Sequence, residues 1–237
     1  MKKLPIDVSD IETMITGNYI YVDKTRQIYD LITGGRLYFL SRPRRFGKSL
    51  LISTMREIFS GNRALFEGLW ISKSDYDWVE HPVLHLDFSG LSYTSVHALT
   101  ADLVWKLENI AKSFEVSLED APSLVTKLHS LVTQLAPRGR VVVLVDEYDY
   151  PLLSSLHSKE KAEALRDTLC SFFAALKSLD SAGYVRGMFI TGVTKFSITS
   201  IFSGMNNLND ISLDLVASDL LGYTEEEIKV YFKEPIS

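Results

Sequence analysis

The sequence predicts an α/β fold built on a mostly parallel sheet, and three observations carry that expectation. Strand-like and helix-like stretches alternate along nearly the whole chain, as βα units do. Residues 140–145, Arg-Val-Val-Val-Leu-Val, form a solid β-branched run of the kind buried on both faces of a parallel sheet. Two strand-like stretches run directly into polar turns, at residues 41–49 and 146–149, and the carboxyl edge of the strands is where ligands bind in open α/β sheets.

In chain order, Ser9-Asp10-Ile11-Glu12 reads as a capping box, with Ser first and Glu three residues later. Asp23 can cap a second helix whose Ile28, Leu31 and Ile32 share one face and which Gly34-Gly35 end. A short strand, residues 37–40, precedes a basic turn. A helix over residues 48–60 then presents Leu51, Ile52, Met55, Ile58 and Phe59 to a core. A turn-rich stretch leads to a strand at 83–88, and two amphipathic helices follow at 95–115 and 123–136, the second broken by Pro137-Arg138-Gly139. After the 140–145 strand come a long helix at 159–180, a strand at 184–191, a polar loop at 194–210 and a short stretch at 211–216. Thr224 to Glu227 is again a capping box. The expected organisation is one domain over residues 1–237: a helical extension (1–35), a core (36–222) and a helix from 223 cut off at Ser237, compatible with the front part of a longer protein.

With 46% apolar and 23% charged residues among 237, the chain has a globular composition rather than a disordered one. Its longest apolar run, residues 141–145, is far short of the roughly 20 residues of a membrane helix, so no membrane association is expected. Lys2 and Lys3 are followed by Pro5, Asp7, Ser9 and Asp10, where a signal peptide needs an apolar segment. The lone Cys170 excludes an internal disulfide and a Cys/His zinc site and fits a reducing, cytoplasmic setting. A net charge of -5 argues against a dedicated nucleic-acid coat, though not against a local basic patch.

The most informative stretch is Ser41-Arg42-Pro43-Arg44-Arg45-Phe46-Gly47-Lys48-Ser49, between a strand and a helix. Gly-Lys-Ser at such a turn is the core of a phosphate-binding loop. Gly47 lets the backbone approach phosphate oxygens, the amides and dipole of the following helix favour the anion, Lys48 can reach the β and γ phosphates, and Ser49 can ligate Mg²⁺. The common loop has a further glycine five residues before Gly47, where Arg42 stands, so this loop should be stiffer. Arg42, Arg44, Arg45 and Phe46 join Gly47, Lys48 and Ser49 as candidate nucleotide contacts, the arginines through charge-assisted bonds to phosphate. The bland alternative is a solvated basic turn.

The run ending Val145-Asp146-Glu147 places two carboxylates at the edge of a buried strand. Asp146 can hold Mg²⁺, directly or through water, and Glu147 is the natural base for an attacking water. Otherwise the pair simply caps the next turn, a reading that the upstream Gly-Lys-Ser weakens. Asp149 can bind metal or water, but fixing the turn of residues 148–151 is favoured. A third strand end, Met188 to Lys195, offers Thr191, Thr194 or Lys195 as a polar sensor of the γ phosphate, provided its strand lies between the other two.

Taken together these segments resemble the AAA-ATPase-like family of bacterial proteins, a branch of the P-loop ATPases. The resemblance rests on Tyr21-Val22-Asp23-Lys24-Thr25, the Arg42 to Ser49 stretch, Val145 to Asp149 with Pro151, Ile190 to Ser197, and Ser200 to Leu208. It implies a P-loop NTPase fold, three-layer α/β/α and RecA/AAA-like. It also implies phosphate and Mg²⁺ roles for Lys48 and Ser49, metal and water roles for Asp146 and Glu147, and ATP as the nucleotide. Relatives often continue into a segment resembling a PD-(D/E)XK nuclease; none is seen in this chain, and no nuclease activity is assigned to it.

Other candidates have bland readings beside them. His81, His85 and Asp87 fall short of a metal site and read as strand residues. Trp70, Tyr76 and Trp78 read as a packed flap rather than a base-stacking platform. The 206–210 loop either closes over a ligand or is a surface turn. Arg166 and Arg186 are candidate charge-stabilising fingers. The expected function is ATP binding with slow, Mg²⁺-dependent hydrolysis and a change of shape, with Glu147 and Lys48 catalytic. If a finger must come from a neighbouring subunit, a homo-oligomer follows. The alternative is a nucleotide-gated module that binds DNA or a protein partner through Arg36, Arg42, Arg44 and Arg45.

Overall fold

The apolar runs become strands β1 (Leu37–Ser41), β2 (Val83–Asp87), β3 (Val141–Asp146) and β4 (Val185–Gly192), and a polar pair adds β5 (Asn209–Asp210). In the computed structural model, which describes residues 2–195, 201–202, 205 and 207–233, these pair in the order β2-β3-β4-β1-β5, every pairing parallel. β3 is buried along its whole length, as its β-branched run requires of a strand covered on both faces.

Helices cover the sheet on two sides, giving three layers. On one face, Val142 and Leu144 join a core with α1 (Ile11–Thr16), α2 (Thr25–Gly34) and α3 (Lys48–Phe59). On the other, Val141, Val143 and Val145 pack with α4 (Val96–Ser113), α5 (Leu124–Leu135) and α7 (Lys159–Ser181), while α6 (Tyr150–Leu153) follows β3 directly. The period-2 alternation of a strand sends neighbouring valines into different cores. The five apolar residues expected to face inward from α3 are all buried, as are Ile28, Leu31 and Ile32 of α2.

Local signals hold with small shifts. The first helix is capped by Asp10 rather than Ser9: Asp10 holds the position directly before the first helical residue, and its Oδ2 accepts the Thr13 amide at 2.9 Å. α2 starts after Lys24, and Asp23 serves it from one residue further out, accepting the Thr25 amide (2.9 Å) and hydroxyl (2.6 Å). Ser95 and Ser123 cap α4 and α5, and Thr224 and Glu227 form a capping box on α8 (Glu225–Tyr231). The polar 194–210 loop ends in a strand: Asn209 and Asp210 pair with Tyr38 and Phe39, where an edge tolerates polar, exposed side chains. Residues 211–217, by contrast, form a turn and a 3₁₀ segment (Leu215–Ala217). Of the later segments that carry the resemblance, Phe196, Ser197, Ser200, Ser203, Gly204 and Asn206 lie outside the described residues, as do residues 234–237.

The decisive feature is the position of β4. It lies between β1 and β3, which brings the basic turn, the third strand end and the acidic pair side by side at one edge of the sheet.

Candidate functional site

The basic turn folds around two left-handed residues, Arg45 (φ 65°) and Gly47 (φ 85°), the second being the N-cap of α3. A Cβ at position 47 would meet only Leu221 at 3.8 Å, so glycine is required there for its backbone conformation, not for space. Lys48 is buried and turns back over the loop, where Nζ donates to the carbonyls of Arg42 (3.1 Å) and Pro43 (3.0 Å). Burial lowers its pKa, and the charges of Glu147 and Asp146 work in the opposite direction.

Asp146 sits at the head of β3 with both oxygens engaged. Ser49 Oγ donates to Oδ2 at 2.6 Å, and Thr191 Oγ1 donates to Oδ1. The same Thr191 oxygen accepts the Glu147 amide at 3.3 Å, so one buried hydroxyl links the end of β4 to both acidic residues. Glu147 adopts φ 52°, a left-handed conformation that a non-glycine side chain holds at some cost, and its side chain lines the cleft. Partial burial raises its carboxyl pKa and Asp146 adds to the rise, while Lys48 and Arg44 counter it.

Asp149 serves neither its own turn nor the cleft. Its carboxylate accepts the amides of Val193 (3.0 Å) and Thr194 (2.7 Å) and the Thr194 hydroxyl (2.9 Å), clamping the exit of β4. Tyr148 lies under that exit, donating to the Thr194 carbonyl at 3.2 Å. Thr191 and Thr194 therefore face Asp146 and Asp149, and Lys195 pairs with Asp210 at 2.7 Å.

The arginines divide. Arg42 is turned away from the loop mouth: its guanidinium donates to the carbonyls of Ser41 (3.0 Å), Ala217 (3.2 Å) and Ser212, tying the loop to the segment after β5. Five N–H donors in a planar fork suit several carbonyls as well as they suit a phosphate. Arg36 pairs with Asp180 at 3.3 Å. Arg44 and Arg45 are exposed and carry no hydrogen bond or ion pair among the described residues. Arg166 lies on the exposed face of α7 beside Asp167, and Arg186 bulges out near the start of β4, at the opposite edge of the sheet from the acidic pair.

Beside the loop opens a cleft of about 580 Å³. Arg45 to Ser49 and Glu147 line one part of it; residues 7–9, 20–22 and 220–223 line the rest, and Leu221 reaches back to the loop beside Gly47. This apolar part was not legible in the sequence, because Val8, Ile20, Val22 and Leu221 look like ordinary core residues; its one signal was the Tyr21 to Thr25 segment. His85 and Asp87 share a face of β2, but Asp87 accepts the Ser89 amide at 2.8 Å. Among the described residues no group of three or more His, Cys, Asp or Glu could hold a metal. Tyr29, Trp70, Tyr76 and Trp78 pack edge to face, with Tyr76 and Trp78 centroids 5.3 Å apart, as a flap. No helix is long and apolar enough to cross a membrane, among the described residues.

Comparison with known proteins agrees with this geometry. The chain is 42% identical over 238 residues to an uncharacterized protein of the vnfD 5′ region of Azotobacter chroococcum mcd 1. The match covers 98% of this chain but 45% of the relative, so the chain spans less than half that protein's length. No solved structure matches it. A parallel sheet with the lysine loop, the polar strand end and the acidic pair on adjacent strands is an arrangement proper to P-loop NTPases, and the match of residues 5–202 to the AAA-ATPase-like model, described as predicted AAA-ATPase, shows that the chain belongs to that family.

Proposed function

We propose that the chain binds Mg·ATP in this cleft and hydrolyses it slowly, changing shape as it does so. The observation that carries the reading is the convergence of Ser49, Asp146, Glu147 and Thr191 with Lys48 at the head of the cleft.

The amides at the start of α3 and Lys48 would hold the phosphates, Lys48 exchanging the Arg42 and Pro43 carbonyls for phosphate oxygens. Arg44 and Arg45, whose guanidinium groups have no partner among the described residues, can serve the same anion. Ser49 Oγ and Asp146 Oδ2, 2.6 Å apart, are hard oxygen donors of the kind Mg²⁺ accepts beside phosphate and water, so these residues fit the ion. When bound it would neutralise charge on the phosphate oxygens. Glu147 orients a water and takes its proton as the water oxygen bonds to the γ phosphorus; the bond to the β–γ bridging oxygen breaks and ADP leaves with its electron pair. Catalysis is then positioning and charge stabilisation. Arg166 and Arg186 bond elsewhere in the chain, so neither serves as the charge-stabilising finger of its own cleft.

A role as a DNA-binding module has less support, since two of its four arginines are engaged within the chain. The test is titration of Mg·ATP into wild type and Lys48→Ala. Micromolar affinity lost in the variant is expected; equal affinity in both refutes the assignment.

A further inference from the structure

The apolar part of the cleft is assembled from segments held with very different firmness. Residues 7–24 are well anchored. Asp10 Oδ1 accepts from Ser53 and Arg56 of α3, each at 2.9 Å; Asp23 Oδ2 accepts the Trp70 amide at 2.7 Å; the Thr25 hydroxyl accepts the Ile71 amide at 3.1 Å. The opposite wall, residues 220–223, leads into α8, which buries none of its residues. Apart from the packing of Leu220 and Leu221, one hydrogen bond joins residues 218–233 to distant parts of the chain among the described residues: Lys24 Nζ donates to Glu227 Oε1 at 2.5 Å, across 203 positions of sequence.

Lys24 is 8% exposed, lines the cleft, and stands between the anchored Asp23 and Thr25. Glu227 uses its second oxygen, Oε2, to accept the Thr224 amide at 2.8 Å, so the same carboxylate that caps α8 receives the lysine. The two side chains are 10% and 19% exposed, so this half-sheltered pair is screened less than one on the open surface.

We propose that Lys24 and Glu227 are positioning residues for the nucleoside: their ion pair holds residues 220–223 against residues 20–22, so that the base and sugar are gripped between these segments while Lys48 and the start of α3 hold the phosphates. The inference rests on the nucleotide reading and adds to it. Lys24 acts through the wall and does not touch phosphate.

The test is calorimetric titration of the full chain with Mg·ATP and with Mg·tripolyphosphate, which lacks the nucleoside, for wild type, Lys24→Met, Lys24→Arg and Glu227→Gln. Lys24→Met keeps the side-chain volume, and Glu227→Gln keeps the cap. Both should weaken ATP by about tenfold, roughly 1.4 kcal/mol, and leave tripolyphosphate unchanged, while Lys24→Arg binds both like wild type. Equal weakening of both ligands overturns the proposal, because it puts Lys24 on the phosphates or in the fold at large; so does unchanged ATP affinity. If Lys24→Met does not fold, Glu227→Gln decides alone. Wild type binding both ligands equally would remove the nucleoside grip yet leave the phosphate site standing. Wild type binding neither refutes the nucleotide reading itself and the proposal with it.

Discussion

Replacing Thr191 with valine removes one hydroxyl from the centre of the site and almost nothing else. Valine has the same branched shape, suits the strand, and fills the fully buried position that threonine holds. Two bonds are lost: the donation to the Asp146 carboxylate, and acceptance of the Glu147 amide at 3.3 Å. The first is charge-assisted, with a net worth of about 1.5–3 kcal/mol; the second is long and neutral, at about 0.5–1 kcal/mol. The expected destabilisation is therefore about 2–4 kcal/mol, or a fall in Tm of about 6–12 °C for the middle of that range in a chain of this size. Thr191→Ser keeps the hydroxyl and should cost about 1 kcal/mol for the lost methyl group. Denaturant unfolding of the three proteins at pH 7 measures both, and ATP turnover should fall in the valine variant alone. A valine variant within about 0.5 kcal/mol of wild type would mean that this hydroxyl does not organise the acidic pair.

Gly192→Ala places a Cβ 2.5 Å from the ring of the fully buried Tyr148, so overpacking of about 1–3 kcal/mol is expected; an unchanged melting curve would show that this contact relaxes freely. Glu147→Gln should keep Mg·ATP affinity and lose about 10²–10⁴ in turnover. Because burial and Asp146 raise the Glu147 pKa, the acid limb of wild-type kcat/KM should lie above the ordinary carboxylate range, and a limb within that range would exclude Glu147 as the base. His85 has its pKa lowered chiefly by burial, with Arg56 adding and Asp146 and Asp87 opposing. Below about pH 6.5 the unfolded chain then takes up the proton before the folded one, so stability declines on acidification. His85→Gln should lessen that decline below about pH 6.5, and an identical slope in melts run on the acid side of that pH would rule the histidine out.

Much of the site could be read from the sequence because its signals are local. A β-branched run ending in Asp146-Glu147, and Gly47-Lys48-Ser49 between a strand and a helix, each combine burial with chemistry inside fewer than ten residues. The arginines resisted the same treatment. Arg42 and Arg44 are two positions apart with identical chemistry, yet Arg42 donates to three carbonyls and Arg44 has no such partner among the described residues. Asp149, read as a turn residue, clamps amides more than forty positions away. A side chain's type states what it can bond, whereas its partner depends on which backbone the fold delivers.

The sequence by itself determined the α/β class, the helix faces, the Thr224–Glu227 capping box, and the two strand ends that carry the lysine and the carboxylates, since these follow from periodicity and short-range hydrogen bonding. Only the tertiary structure decided that β4 lies between β1 and β3, that Thr191 bridges to Asp146, and that residues 7–9, 20–22 and 220–223 line the apolar part of the cleft. Those features come from contacts between segments up to two hundred positions apart, such as Lys24 with Glu227, and no local pattern of hydrophobicity or charge encodes which distant segment will meet which.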